Sequence, residues 1–434
     1  MFAPRPLLAA GLALLGTALP LAAQERGEAG GVWLRFGITQ RIEATQNADL
    51  SLKSDGPTFG AETGLAFSLS SETRSDYLGL TIGTALRHVS APDPDDDVSF
   101  GIKAPRVELS YRRNGAGSQF QSRLSAQVED IAYLRGIAEF LNEDGTLPEG
   151  IETVEDLINL DDRRATGQRR TLAANSALRV GEGGPVEAGL RLTARHVDYF
   201  DTDPTLYFDS QRYALRGDVK LRLADNLTMT SQLGYAEYHE EGSALRETWD
   251  LGFGLSHERP RGSLSFSVSA SQVEEGTSYS LSSGWAPKLA NGSLSFSLGA
   301  SRSANGTDAV TGGVSYSRKL PRGTLSAQLR RGLTSGTEDT EELFTLTSAS
   351  YRHAFSPLTG MQFSLSYLDT KDLAAGARTN RGELGLGIQH RLSKEWAVNL
   401  GYRRVMLRET AVGSGWAESD SVYVSMGRTF SHRF

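Results

Sequence analysis

Residues 419–434 read SDSVYVSMGRTFSHRF, and apolar and polar side chains alternate along this stretch. Counted back in steps of two from the last residue, one row contains Phe434, His432, Phe430, Arg428, Met426, Val424 and Val422. The other row contains Tyr423, Ser425, Gly427 and Thr429. A period of two is typical of a β-strand with one apolar and one polar face. The stretch therefore predicts a strand whose apolar face is interrupted by one positive charge, Arg428.

A final strand of this kind that ends on Phe resembles the C-terminal signal of Gram-negative outer-membrane β-barrels, which the barrel-insertion machinery reads. In this resemblance the signal consists of Val422, Val424, Met426, Phe430 and Phe434. His432 stands where that family more often has Tyr. The resemblance implies a transmembrane β-barrel in the cell outer membrane, in contact with outer-membrane lipid and lipopolysaccharide. Arg428 is expected near the periplasmic end of its strand, where reaching the interface costs roughly 0 to 1 kcal/mol.

The composition excludes several classes of protein. The 434 residues include no Cys, which excludes a disulfide framework and a Cys-ligated metal site. The formal net charge of -7 argues against a nucleic-acid-binding surface, which is basic. No cofactor is expected. Although the length suits two or three soluble domains, a closed barrel can use it as one unit, and a single domain is predicted.

Residues 1–23 have the pattern of a signal peptide. Arg5 gives a positive start, and an apolar run and a small-residue cleavage site follow it. An uncleaved signal anchor is the alternative. Residues 24–31 are predicted to form a short periplasmic segment, too short for a plug domain, and the barrel is predicted to occupy 32–434.

From Val32 onward, the alternation recurs in runs long enough for tilted membrane strands of roughly 9 to 11 residues. The pattern predicts twenty strands, with eighteen as the alternative count. Tight turns rich in Gly, Pro, Asn or Asp occur at every second connection, near 71–76, 113–117, 181–184, 224–226, 258–262, 287–292, 321–323, 356–360 and 393–395. Short turns alternating with longer loops are typical of outer-membrane barrels, with the turns and both termini in the periplasm.

A soluble β-sandwich or propeller shows the same alternation, because the period does not say whether the apolar face meets lipid or protein. The export signal and the terminal Phe favour the barrel. The strand near 210–224 then indicates which face is inside, since Arg212, Arg216 and Lys220 share one of its faces. An Arg or Lys that faces lipid at mid-depth costs about 2 to 4 kcal/mol. The charged face is therefore predicted to line the lumen.

This assignment predicts two unlike walls inside the barrel. The fourth to eighth strands carry what we call the arginine ladder, formed by Arg106, Arg123, Arg179, Arg191, Arg195, Arg212, Arg216 and Lys220. The eleventh to fifteenth strands carry the serine wall, which is small and neutral and includes Ser265, Ser269, Ser280 and Ser297. In the alternative interpretation of the ladder, its cations only form ion pairs with acids on neighbouring strands.

The longest connection, residues 134–167, is strongly acidic, with nine acids and no Lys or Arg between Gly136 and Asp162. General porins resemble this arrangement, because their third extracellular loop also joins the fifth and sixth strands, folds into the pore and faces arginines. The Pro-Glu-Phe-Gly motif of that loop is absent. The resemblance implies a constriction loop formed by Glu139, Glu143, Asp144, Glu149, Glu152, Glu155 and Asp156. The predicted function is a porin-like channel for passive diffusion of small hydrophilic solutes.

Other functions stay open at this point. The serine wall also suits sugar hydroxyls, so a barrel for saccharide export, or a structural or anchoring barrel, is the alternative. An outer-membrane hydrolase is another, because His88, His196 and His239 are predicted near the extracellular ends, but no enzyme motif surrounds them and no enzyme is expected. Acids at 93–97 have oxygen ligands that suit Ca²⁺, although a solvated loop is the simpler interpretation and no metal site is expected. The oligomeric state stays open.

Overall fold

The computed structural model describes residues 30–48, 50–54, 56–90, 100–130, 167–202, 207–274, 276–335, 341–373, 376–410, 413 and 415–434. The predicted signal peptide at 1–23 lies outside the described residues. So do the acids of the predicted constriction loop and the acidic stretch at 93–97.

The described residues form twenty strands. These are β1 (Gly31–Gln46), β2 (Pro57–Glu72), β3 (Asp76–Ser90), β4 (Phe100–Asn114), β5 (Ser118–Asp130), β6 (Gln168–Val180), β7 (Val186–Phe200), β8 (Ser210–Ala224), β9 (Leu227–Glu240), β10 (Arg246–Arg259), β11 (Gly262–Val273), β12 (Gly276–Leu289), β13 (Gly292–Arg302), β14 (Asp308–Leu320), β15 (Gly323–Ser335), β16 (Glu341–Ala354), β17 (Thr359–Asp372), β18 (Arg378–Arg391), β19 (Trp396–Glu409) and β20 (Ala417–Arg433). Within the described ranges, no helix is long and apolar enough to cross a membrane.

Each strand pairs antiparallel with the next one, and the last strand pairs with the first, which closes the sheet. At this seam between β1 and β20, Phe36 lies opposite Phe430. The predicted fold class, a single antiparallel β-barrel of twenty strands, is confirmed, and the alternative count of eighteen is wrong.

Short turns alternate with longer connections around the barrel. All nine predicted tight turns separate successive strands, from 73–75 between β2 and β3 to 392–395 between β18 and β19. The β6–β7 turn shows why glycine occurs there, because Gly181 and Gly183 both have φ of 78°. A residue with a Cβ loses roughly 1 to 2 kcal/mol in this left-handed conformation. Turn chemistry and strand alternation therefore agree along the chain.

The apolar rows of the strands lie on the outer surface of the barrel. Register places Leu251 of β10 opposite Leu233 of β9, and Phe36 of β1 opposite Phe67 of β2. Leu233 is 55% exposed and Leu298 is 69% exposed, so this outer surface has no protein cover. Alternate side chains of a strand point to opposite faces. The polar rows, including the arginine ladder, therefore face the lumen.

Arg428, the charge within the apolar row of β20, is stabilised at the end of its strand. Its guanidinium pairs with Glu395 of the β18–β19 turn at 2.8 Å. It also lies over the rings of Trp396 and Phe430, 5.3 Å and 4.3 Å from their centroids. A cation over an aromatic face is worth about 0.5 to 1 kcal/mol at an exposed site. The apolar row can therefore include one arginine without placing it at mid-depth.

Buried side chains, both apolar and polar, occupy the lumen on the side of β16–β20, and the polar ones include Ser348, Arg381 and Glu383. Phe344 and Leu346 of β16 are 2% and 1% exposed, and Leu368 of β17 is 5% exposed. Phe344 alternates with the outward Leu343 and Thr345, so it points inward. This side of the barrel is filled by its own side chains.

The connection between β1 and β2, residues 47–56, folds inward against the same side; we call it loop 1. Leu50 of loop 1 packs with Val405, Leu407 and Ala417, and all four residues are at most 5% exposed. Val405 and Leu407 are at inward positions of β19. Loop 1 therefore completes the apolar core of the filled side.

Asn47 anchors loop 1 to the barrel. Its side-chain N–H groups donate to the carbonyl oxygens of Ser51 (2.9 Å) and Glu418 (2.8 Å), and its side-chain oxygen accepts from the Ser51 backbone N–H (3.1 Å). Asn47 and Leu50 have φ of 57° and 53°, in the left-handed region. Asn tolerates this region better than most residues, whereas Leu does so only where packing compensates.

Candidate functional site

The lumen contains a cavity of about 1410 Å³. Its lining begins at Tyr77 on β3 and continues around the barrel to Glu341 on β16. The cavity therefore lies beside the filled side, and both the arginine ladder and the serine wall border it.

The structure brings half of the arginine ladder together at this cavity. Arg123, Arg191, Arg212 and Arg216 line it. Other members occupy inward positions of the same strands outside the lining, namely Arg106, Arg179, Arg195 and Lys220. Three arginines that are not part of the predicted ladder also line the cavity, Arg112 on β4 and both Arg330 and Arg331 on β15.

Part of the ladder forms ion pairs between neighbouring strands. Arg123 pairs with Glu108 at 2.8 Å, and Lys220 pairs with Glu187 at 3.3 Å. Arg191 differs, because it forms no ion pair with any residue in the described ranges. Mutual ion pairing, the alternative interpretation of the ladder, thus accounts for some members and not for others.

Like charges face each other across β7 and β8. Arg191 lies directly opposite Arg216, and Arg195 lies directly opposite Arg212. Like charges in this position are destabilising. Arg216 reaches a carboxylate of β10, that of Asp250, at 4.0 Å. The lining contains seven arginines (Arg112, Arg123, Arg191, Arg212, Arg216, Arg330 and Arg331) and three acids (Glu108, Asp250 and Glu341), so this part of the chain makes the cavity electropositive.

The opposite wall is neutral and carries hydroxyl groups. It contributes serines from β11, β12, β13 and β14, namely Ser265, Ser269, Ser271, Ser278, Ser280, Ser282, Ser295, Ser297 and Ser315. The hydroxyls of Ser269 and Ser280 are 2.6 Å apart. Each hydroxyl has one donor and two acceptor positions. Paired serines therefore retain the ability to bind water or a solute.

The predicted histidines do not enter the lumen. His196 of β7 lies opposite Leu172 of β6, in the row of residues that face outward, and His239 follows in the same row. His196 contacts Asp198 through Nε2 at 2.6 Å. His88 is opposite Ala61, also on an outward row. Within the described ranges, no group of three or more His, Cys, Asp or Glu is arranged to hold a metal ion.

Sequence reasoning missed the inward position of loop 1 and the filled side of the lumen. A signal was present near the end of one strand. In β19, Val405, Met406 and Leu407 are consecutive apolar residues, so both faces are apolar there. An apolar inward face needs a cover, and loop 1 provides it through Leu50.

In a closed barrel, the backbone N–H and C=O groups of every strand form hydrogen bonds with a neighbouring strand. The exposed apolar exterior suits the hydrocarbon core of a bilayer. The lining of the barrel's cavity is partly polar and charged. These features define a transmembrane β-barrel of the outer-membrane type. The predicted location in the cell outer membrane is confirmed on this basis.

No family model and no curated protein matches the chain. Among solved structures, it is similar to a mutant of the ferric enterobactin receptor PfeA from Pseudomonas aeruginosa, with 12% identity, a TM-score of 0.49, and coverage of 93% of this chain and 81% of that one. It is also similar to Pseudomonas aeruginosa OccK5 (OpdH), with 11% identity, a TM-score of 0.40, and coverage of 93% and 99%. OpdK of the same organism, solved with vanillate, shows 9% identity, a TM-score of 0.42, and coverage of 92% and 99%. Identities this low do not indicate a shared function.

Proposed function

We propose that this protein is a porin-like channel that lets small hydrophilic solutes diffuse across the outer membrane. One observation carries the proposal, the cavity of about 1410 Å³ inside a closed barrel whose lining includes many guanidinium and hydroxyl groups. Such groups replace part of the hydration of a polar solute. On the β16–β20 side, by contrast, the inward side chains Phe344, Leu346 and Glu383 are buried.

The excess of arginines over acids among the described lining residues attracts anions to this wall of the channel. Seven arginines and three acids line the described cavity, and at least Arg191 has no counter-charge among the described residues. Opposite charges attract at long range in a narrow, low-dielectric path, and fixed charges raise the local concentration of counter-ions. Anions should therefore concentrate along this wall more than cations of the same size.

The acidic connection at 134–167 is proposed to form the constriction. Its nine acids are complementary in charge to Arg195 and Arg212 of the arginine ladder. Pairs removed from bulk water are screened less than exposed ones. Deletion of residues 141–160 should then raise single-channel conductance.

Planar bilayer recordings test the channel and its selectivity. In a salt gradient, replacing Arg191, Arg195, Arg212 and Arg216 together with Ser should shift the reversal potential from its wild-type value toward cation preference. The control replaces four exposed arginines at or beside the short turns, Arg259, Arg261, Arg318 and Arg322, and removes the same charge. A correctly folded wild-type barrel without conductance would refute the channel. An equal shift in both variants would refute the role of the ladder.

The serine wall favours a second candidate, the passage of saccharides. Neutral hydroxyls on β11–β14 can exchange hydrogen bonds with sugar hydroxyls without attracting ions. Saturable block of the current by maltooligosaccharides would support this candidate. A barrel with no conductance and no sugar binding would instead fit a structural or anchoring role.

A further inference from the structure

Arg191 and Arg216 form a distinct feature within the cavity. They lie directly opposite each other on β7 and β8, and both line the cavity. Residues directly opposite in an antiparallel pair have Cβ atoms roughly 4.5 to 5.5 Å apart. Two guanidinium groups therefore project from neighbouring points of the wall into the same space.

Small residues surround the pair and leave room around the guanidinium groups. On β6, Ala177 lies opposite Arg191, and on β9, Gly234 lies opposite Arg216. On β8, Ala214 is the next residue on the same face as Arg216. All three small residues line the cavity. A Cβ on Gly234 would come within 3.2 Å of the Asp250 side chain, so the absence of a side chain there gives Asp250 its position. The pair thus stands over a recess rather than within packed side chains.

Among the residues that the structure describes, the positive charge of the pair is only weakly compensated. Arg191 has no ion pair in the described part of the chain, and Arg216 contacts Asp250 at 4.0 Å, the limit for an ion pair. By contrast, Arg123 in the same cavity pairs with Glu108 at 2.8 Å. A guanidinium group binds carboxylate or phosphate oxygens through two parallel N–H donors. An oxyanion between Arg191 and Arg216 would also remove their mutual repulsion.

The neighbours in the same row determine which oxyanion fits. Beyond Gly234, the row continues with Asp250, Ser271 and Ser278. The Asp250 carboxylate accepts hydrogen bonds from hydroxyls and repels a second negative charge. Serine hydroxyls donate and accept. The row therefore favours a solute with one oxyanion group at one end and hydroxyl groups along the rest.

We propose that Arg191 and Arg216 form a binding site for the oxyanion group of a small hydroxylated monoanion, such as a sugar acid, with Asp250 selecting for hydroxyls. The site deepens the proposed function, since the solute reaches it through the lumen. Binding itself can be measured without transport, so the two proposals can fail separately.

Isothermal titration calorimetry on the purified, folded barrel tests the site with gluconate, glucose and inorganic phosphate as probes. Gluconate should bind saturably and glucose should not. Replacing Arg191 or Arg216 with Ser should weaken gluconate binding at least tenfold, as expected for the loss of a hydrogen bond between charged groups. Arg191→Lys keeps the charge without the two parallel donors and should retain part of the affinity.

Arg330→Ser is the matched control. Arg330 lines the same cavity, lies over the ring of Phe344 at 5.7 Å and forms no ion pair with a described residue. Its removal deletes the same charge and should change gluconate affinity less than twofold. Heat-modifiable mobility on a gel verifies that each variant is folded. If the Arg330 and Arg191 variants lost gluconate affinity equally, gluconate would be attracted by the overall positive charge of the cavity. That result would overturn the site.

The remaining outcomes separate the parts of the proposal. Absence of saturable gluconate binding to the wild type overturns the site, whether or not the barrel conducts. Tighter binding of phosphate than of gluconate overturns the role of Asp250 and leaves an oxyanion site. Gluconate binding that depends on Arg191 in a barrel without conductance supports the site and refutes the channel.

Discussion

The two sides of the lumen have the same strand alternation, but one side leaves a cavity and the other is filled with side chains. From β4 to β15, the inward positions hold arginines, serines and small residues, and a cavity remains. From β16 to β20, the inward positions near one end hold Phe344, Leu346, Val405 and Leu407, and no more than 5% of each is exposed. Strand alternation decides which residues face inward, whereas the packing of inward side chains with one another and with loop 1 decides whether the interior is filled or open.

The filled side also depends on a segment outside the strands. Leu50 of loop 1 covers Val405 and Leu407, and without it these inward side chains would meet water. The open side needs no cover, because arginine and serine are stable in water. Loop 1 is therefore expected to matter for stability on one side of the lumen and to be irrelevant to the other.

The largest expected effect comes from emptying the filled side. Phe344→Ala removes a side chain that is 2% exposed and should lower the free energy of unfolding by about 3 to 5 kcal/mol, through lost burial and the cavity that remains. Urea titration of the barrel in lipid vesicles measures it. The control is Val273→Ala, at an inward position that borders the existing cavity, where the loss should stay below about 1 kcal/mol. If the two variants lost similar amounts of unfolding free energy, the two sides of the lumen would not differ in how tightly their side chains are packed.

Shortening the side chain that covers the core should release loop 1. Leu50→Ala is expected to weaken the docking of the loop by about 2 to 5 kcal/mol. Lys53 is exposed in the same loop, so trypsin cleavage after it, followed by mass spectrometry, reports undocking. Leu52→Ala is the matched control, because Leu52 is 50% exposed. Cleavage that is equally slow in wild type and Leu50→Ala would show that the loop is held by other contacts.

A smaller effect is expected at Asn47, where two contributions can be separated. Asn47→Gly keeps the left-handed backbone and removes the side-chain hydrogen bonds, at a cost of about 1 kcal/mol. Asn47→Ala loses the same bonds and adds about 1 kcal/mol of backbone strain. Hydrogen exchange of the Ser51 amide, which donates to the Asn47 side chain, should speed up more in the Ala variant. The reverse order would refute the assigned role of the positive φ.

The smallest effect should come from the serine wall. Ser269→Ala removes the hydroxyl that lies 2.6 Å from that of Ser280. Water in the cavity can replace the lost partner, so we expect a change within about 0.5 kcal/mol in the urea titration. A loss above about 1 kcal/mol would mean that hydroxyl pairing holds this wall together. Inward side chains would then contribute to stability on the open side of the lumen as well as on the filled side.

Most of the barrel could be predicted because its signals are local. The period of two assigned each strand, glycine-rich turns gave the boundaries, and the cost of an arginine in lipid assigned the faces from Arg212 and Arg216. Pairing within the ladder was harder, since Arg123 and Glu108 meet through the register of β4 and β5. That register depends on turns and bulges, such as the shift between Gly83 and Ala85 of the preceding strand pair.

Loop 1 could not be predicted for a different reason. Leu50 and Leu52 are equally apolar in the sequence, yet the structure buries one at 2% and leaves the other 50% exposed. The choice depends on Val405, Leu407 and Ala417, which are far away along the chain. No local pattern links residues at that separation, so the contact follows only from the closed barrel.

The seam between β1 and β20 constrains the order of folding. Phe36 and Phe430 meet there with ring centroids 6.2 Å apart, although almost the whole described chain lies between them. Contacts at such sequence separation form slowly, because a long loop must close before the contact stabilises it. Until then, both terminal strands expose unpaired N–H and C=O groups that invite pairing with other chains. We therefore expect closure to be the last and slowest step of assembly, and unfinished barrels to be the species most prone to aggregation.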